Sequence, residues 1–159
     1  MLELDGGQRL TEAAAILLHV AGRYPAARLL PQGGSLEEAR VFEWLAWLTS
    51  TLHIAYAHLW RPERFTADQA ARKVLAEEAK EHIARFNDTI KQRFRGQDFA
   101  VGSSYSVADP YLLVFFRWAN RIGLNPVGGL PAWTAWARRM EQRPAVARVL
   151  EREDVSLWA

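Results

Sequence analysis

Few side chains in this sequence of 159 residues have reactive chemistry to offer. Cysteine is absent, which excludes disulfides, thiolate metal centres and a cysteine nucleophile from these residues. The four histidines are His19, His53, His58 and His82. None has the His-Glu-x-x-His spacing of a helical metal site, so no metal is expected. An imidazole titrates near neutrality, so His53 is suited to acid–base work. A lone histidine on a mostly apolar helix is equally suited to filling a core or an interface. Glu12 stands at the start of a helical stretch, where the helix dipole favours a negative charge. Ser106 and Asp109 have Ser-x-x-Asp spacing, which satisfies the free amides at a helix start. Left buried and unpaired, each such amide costs about 1–3 kcal/mol.

The elements that must position these groups are mostly helical. Leu2–Leu10 reads as a β-hairpin about Asp5-Gly6-Gly7, because a glycine pair tolerates the positive φ of a tight turn. Thr11 is predicted to cap a helix running to about Arg23, with Pro25 beyond its end. Pro31-Gln32-Gly33-Gly34 is a linker. Ser35-Leu36-Glu37-Glu38 is a capping box opening a helix predicted to continue to about Trp60, before Pro62. Val41, Leu45, Leu48, Leu52 and Leu59 stripe one side of it, and Trp44 and Trp47 lie on another. A helix apolar on two sides is expected to meet both its own core and a second subunit. Thr66-Ala67-Asp68-Gln69 is read as a second capping box. The helix after it places Leu75, Ala79, Ile83, Phe86, Ile90 and Phe94 inward, and Lys73, Glu77, Lys80, Glu81 and Arg85 outward. Gly96–Gly102 is a loop, and Ser106-Val107-Ala108-Asp109 opens a helix ending near Gly123. Pro126–Pro131 is a loop. Trp133 to about Arg152 gives one or two short helices punctuated by Pro144. The fold class is therefore mainly α: a short hairpin and helix, a linker, and an antiparallel helical bundle.

Charge and hydropathy exclude several partners. Twenty basic and 18 acidic residues leave a net charge of +2, too small a margin for a nucleic-acid binder. Arg117, Arg121, Arg138, Arg139, Arg143, Arg148 and Arg152 concentrate toward the C-terminus, where Glu141, Glu151 and Glu153 are the expected partners on solvated helix faces. Ala13–Val20 is too short to span a bilayer, and Met1–Leu10 does not read as a signal peptide, so a cytoplasmic location is expected.

Three stretches resemble the glutathione S-transferase family: GQRLTEAAAILLHVA at Gly7–Ala21, GSSYSVADPYLL at Gly102–Leu113, and LPAWTAWARRMEQRPAV at Leu130–Val146. STLHIAYAHLW at Ser50–Trp60 is most similar to the bacterial beta class. The resemblance implies a remnant of a thioredoxin-like domain over residues 1–30, a linker over 31–36 and the family's all-helical C-terminal domain over 37–159. It implies glutathione as co-substrate, with no other cofactor. Glu12 would receive the ammonium of the γ-glutamyl group, and Ala13, standing where the family often has Ser, would hold its carboxylate through backbone alone. His53 matches the beta-class histidine that reaches the cleft, with His58 and Trp60 lining the substrate pocket and Ala46 standing where that class often has Asn. Ser106 and Asp109 match the family's structural capping motif.

The family's opening β-α-β unit, its cis-proline and its thiol-activating Tyr, Ser or Cys are not found ahead of the hairpin. Conjugation of glutathione is accordingly expected to be weak, with His53 the one candidate for a catalytic role. The alternative is a non-catalytic module that dimerises or binds ligands or proteins. A homodimer is expected through the Met1–Leu10 hairpin and the Val41–Leu59 helix, Leu2–Leu10 pairing with the same segment of a second chain because two strands alone leave open edges.

Overall fold

The computed structural model describes residues 1–124 and 129–158. β1 (Leu2–Glu3) and β2 (Arg9–Leu10) pair antiparallel, Leu2 opposite Leu10 and Glu3 opposite Arg9. Gly7 closes the turn with φ 73°, its N–H donating to the Leu4 carbonyl at 2.8 Å. That backbone conformation strains any residue with a Cβ. α1 (Ala13–Arg23) follows, but Thr11 does not cap it. The N-cap is Glu12, at φ 63° and with no side-chain capping bond.

Ser35 caps α2 (Leu36–Trp47) as its type and position require, its Oγ accepting from the Glu38 N–H at 3.1 Å. The Glu38 carboxylate reaches one residue further back than a standard box, accepting from the Gly34 N–H at 2.7 Å. The long helix expected to run to Trp60 is interrupted. Leu48–Leu52 forms a π turn, and α3 (His53–Trp60) begins after it. Here the hydroxyls of Thr49 and Ser50 each donate to a carbonyl four residues back, both at 2.8 Å. Such back-bonding competes for the carbonyls of the helical ladder and favours local distortion.

The cap of α4 (Gln69–Arg93) is Asp68 rather than Thr66. The Asp68 carboxylate accepts from the amides of Ala70 and Ala71 at 2.7 and 3.0 Å, while the Thr66 hydroxyl accepts only from Asp68 itself. Carboxylates are the better N-caps, and here the stronger acceptor sits closer to the helix. α5 (Ala108–Arg121), α6 (Pro131–Glu141) and α7 (Pro144–Arg152) complete the bundle, the last two each opening on a proline, whose missing N–H needs no cap. The loop expected over Pro126–Pro131 lies in part outside the described residues.

One core joins all of this. Val41, Leu45, Leu48 and Leu52 are buried as the stripe predicts, with Ile83, Ile90, Phe94, Phe115, Phe116, Trp133 and Trp136. α1 enters the same core through Ala21, with Leu17 and Leu18 packed against it. The side of α2 that carries Trp44 and Trp47 is covered by this chain's own α4. Trp47 meets Phe86 edge-on at 5.7 Å, Trp44 lies 6.2 Å from Phe94, and the Arg93 guanidinium stacks over both indoles at 4.7 and 5.1 Å. The C-terminal arginines also find partners other than the glutamates expected. Arg138 stacks on Trp158, Arg143 stacks on Tyr105, and Arg117 donates to the Ser156 carbonyl.

Asp109 is completely buried at the centre of this arrangement. One carboxylate oxygen accepts from the Ala100 N–H at 2.8 Å and the Trp136 indole N–H at 2.9 Å. The other accepts from the Ser106 N–H at 2.8 Å and the Ser106 hydroxyl at 3.3 Å. Burial pushes the Asp109 pKa above the ordinary carboxylate range, and these four hydrogen bonds hold it back. Removing the carboxylate strands several buried donors at once. Asp109→Ala is expected to lose about 3–5 kcal/mol of unfolding free energy in urea titration. An unchanged unfolding midpoint would refute this structural role.

Candidate functional site

The π turn sets the start of α3, and with it the direction of His53. Its ring meets Trp118 edge-on at 5.4 Å and Phe115 at 6.0 Å, and Nδ1 lies 3.5 Å from the Tyr111 hydroxyl of α5. Beside it is a cavity of about 300 Å³ lined by His53, Tyr56, Ala57, Trp60, Arg61, Arg64 and Trp118. Tyr56, Trp60 and Trp118 form a triangle of rings whose centroids are 5.0–5.1 Å apart. Aromatic pairs at these separations hold one another in fixed orientations, so the apolar wall is preformed. Burial pushes the Tyr56 phenol pKa upward, leaving it neutral.

Of the pocket residues expected from sequence, the structure brings His53 and Trp60 together and turns His58 away. The His58 ring packs edge-on against Phe65 at 4.3 Å, and His58 is not among the residues lining the cavity. Five lining residues were not anticipated: Tyr56, Ala57, Arg61, Arg64 and Trp118. Arg61-Pro62 was legible as a helix stop. That the stop would swing two guanidiniums toward an aromatic wall depends on α5, far away in sequence.

Burial lowers the His53 pKa, and the positive charges of Arg64 and Arg61 lower it further, so the imidazole is neutral at neutral pH. The Glu12 carboxylate acts on His53 in the opposite sense. This coupling ties the start of α1 electrostatically to the cavity. Glu12 and Ala13 are both exposed there, and the 63° φ of Glu12 is a conformation that non-glycine residues occupy at a cost of about 1–3 kcal/mol. α2 and α4 have side-chain caps, α5 has Ser106 and Asp109, and α6 and α7 open on proline. α1 has neither device: no side chain caps its first turn, where the positive end of the helix dipole lies. A carboxylate beside free amides can hold an ammonium and a carboxylate on adjacent atoms, as the two ends of an amino acid require.

Ser106 and Asp109 do not enter this site. Both are buried, and the Ser106 Oγ accepts from the Ala108 N–H at 3.3 Å while Asp109 is occupied as described above.

A helical bundle with an aromatic-walled cavity holding one histidine and two arginines is the class of protein this geometry defines. Residues 46–144 match the family described as Glutathione S-transferase, C-terminal domain. Glutathione S-transferase GstA of Escherichia coli O157:H7 is 32% identical over 152 residues, 96% of this chain and 72% of that protein. The structure of a glutathione transferase homologue from Sulfitobacter with bound glutathione superposes with a TM-score of 0.89 at 28% identity, over 95% of this chain and 72% of that one. The bacterial beta class glutathione S-transferase of Sphingomonas chungbukensis superposes with a TM-score of 0.81 at 33% identity, over 98% and 73%. The chain belongs to the glutathione S-transferase family.

The electrostatics of His53 fix the sign of a pH effect. With the folded-state pKa below the unfolded value of about 6.5, its contribution to stability is present above that value and is lost as pH falls through the folded pKa. The imidazole resonance that disappears in His53→Gln is expected to titrate below about 6.5 by NMR. The stability of the parent relative to that variant should decline on acidification from pH ~7 to ~5. A midpoint above the ordinary value would show that the arginines do not govern this ring.

Proposed function

We propose that this protein binds glutathione at the start of α1 and an apolar second ligand in the adjoining cavity. The Glu12 carboxylate receives the γ-glutamyl ammonium, and the backbone at Ala13 and the first turn of α1 hold the γ-glutamyl carboxylate. On this reading residues 1–30 supply the glutathione half-site, while the bundle over 37–159 supplies the second pocket through His53, Tyr56, Trp60 and Trp118. The observation carrying it is Glu12, an exposed carboxylate held at φ 63° at the start of α1, where no side chain caps the helix. The homologue from Sulfitobacter with bound glutathione supports the choice of ligand. Conjugation by this chain is slow on the same reading. His53 is the neutral proton acceptor at the cavity, and two guanidiniums and burial weaken its basicity toward a thiol. A cytoplasmic location, where thiols are kept reduced, goes with this function.

Calorimetric titration with glutathione tests it. The parent should bind, and Glu12→Ala should bind about tenfold or more weakly, as expected for a lost charge-assisted hydrogen bond. Equal affinity for the two proteins would exclude the half-site.

A second reading, a dimerising module, has its own support. β1 and β2 are both edge strands, and Phe42 and Ile54 on α2 and α3 are each 42% exposed. An isologous contact would cover the hairpin and these side chains together. Sedimentation at micromolar concentration should then give a dimer that Phe42→Glu dissociates, and a strictly monomeric parent would end this second reading.

A further inference from the structure

The sequence Trp60-Arg61-Pro62-Glu63-Arg64 turns off the end of α3 through a short 3₁₀ turn at Pro62–Arg64. The Arg64 N–H donates to the Arg61 carbonyl at 3.1 Å. With three residues per turn, side chains three apart fall on the same side. Arg61 and Arg64 therefore face the same cavity, at the rim of the wall made by Tyr56, Trp60 and Trp118. Among the described residues, no carboxylate forms an ion pair with either guanidinium. His53 at the same wall is neutral and adds no competing positive charge, and the Glu12 carboxylate, which acts on His53, forms no ion pair with either guanidinium. The result is a cavity of about 300 Å³, sized for a one- or two-ring molecule, lined by three aromatic side chains and two arginines. Arginine forks match carboxylates and sulfonates in geometry as well as charge.

We propose that Arg61 and Arg64 make this cavity selective for aromatic anions, ring compounds bearing a carboxylate or sulfonate, over neutral rings of the same shape. The assignment rests on reading the cavity as the second-ligand site beside glutathione, and it names the class of that ligand. The ring stacks against the tryptophans, and the anionic group meets the paired guanidiniums. Glutathione has carboxylates of its own, so the same arginines are also within the chemistry of its glycyl end. The two sources are separated by experiment.

2-Naphthoate and its neutral counterpart 2-naphthamide are titrated calorimetrically into four full-length proteins. These are the parent, the double variant Arg61→Gln with Arg64→Gln, the charge-keeping double variant Arg61→Lys with Arg64→Lys, and Glu12→Ala. Thermal melts followed by circular dichroism establish that each is folded. Exposed charge pairs are worth up to about fivefold each in affinity, so the parent should prefer naphthoate by about fivefold or more. The glutamine variant should bind both probes alike, at the parent's affinity for the amide. The lysine variant should keep most of the preference. Glu12→Ala should bind naphthoate as the parent does, and the glutamine variant should bind glutathione as the parent does. The proposal is overturned by equal parent affinity for the two probes, by no binding of either, or by a preference that survives in the glutamine variant. It is also overturned if the glutamine variant loses glutathione while keeping naphthoate, which would assign the arginines to the glycyl carboxylate. Failure of the parent to bind glutathione, with the naphthoate preference intact, would instead remove the glutathione half-site and leave the anion slot standing.

Discussion

A single buried carboxylate organises this protein. Asp109 sits where α5, the loop after α4 and α6 converge, and it bonds to all three. Ala100 extends the node by one step, its N–H donating to Asp109 while its carbonyl accepts from the Trp44 indole of α2 at 2.7 Å. Four elements distant in sequence thus meet within two residues' reach of one side chain. A buried charge is tolerated only when its lone pairs are satisfied, and here each oxygen has two donors. The constraint is mutual. The carboxylate needs its donors as much as the loop amide and the indole need an acceptor, so none of these elements can shift alone. α5 is fixed first by this logic, and α5 supplies the Tyr111, Phe115 and Trp118 that form the floor beneath His53.

The site depends on a second, local irregularity. A regular helix from Leu36 to Trp60 would have advanced by a constant angle per residue and presented His53 with the stripe that includes Thr49 and Ala46. The π turn at Leu48–Leu52 inserts extra length and rotates everything after it. His53 then stands edge-on to Trp118, and Arg61 and Arg64 come off the far end of α3 onto the cavity. The hydroxyls of Thr49 and Ser50, each bonded back to a carbonyl, supply an alternative partner where the ladder is distorted. A functional cleft placed immediately after a π turn is a recurrent association, and here the geometry gives it a reason.

The bundle was legible in the sequence because its signals are periodic and local. The inward faces of α2 and α4, the cap at Ser35, the clamp at Ser106 and Asp109, and the break at Pro144 all follow from residue type and spacing within a turn or two. What sequence did not disclose is non-local or depends on competition between neighbours. Thr66 and Asp68 both suit an N-cap, and only the chain's path decides which lies nearer the first amides. Trp44 and Trp47 read as a surplus apolar face because nothing local shows that Arg93 and Phe86 will cover them. His58 was grouped with His53 by proximity in sequence, yet five residues of α3 place the two rings on different sides, one on Trp118 and the other on Phe65. Arg61 and Arg64 were passed over beside the helix stop at Pro62, because their place on the cavity appears only against α5.

The helix starts differ in how they are closed. Side chains cap three of them, Ser35 on α2, Asp68 on α4 and Ser106 with Asp109 on α5, while α6 and α7 open on a proline, which removes one of the first amides and leaves the rest uncapped. α1 is left open, and the residue at its opening is held in a left-handed conformation that relaxing to an ordinary cap would avoid. Backbone strain at this exposed point, where no side chain caps the first turn, is the opposite of what packing alone would select. On the proposed reading, a ligand carrying both a carboxylate and an ammonium would give the first amides an acceptor, Glu12 a cation and the positive end of the dipole a counter-charge. The same reasoning extends to Arg61 and Arg64, which line one cavity with no ion-pair partner among the described residues and which one shared anion would neutralise.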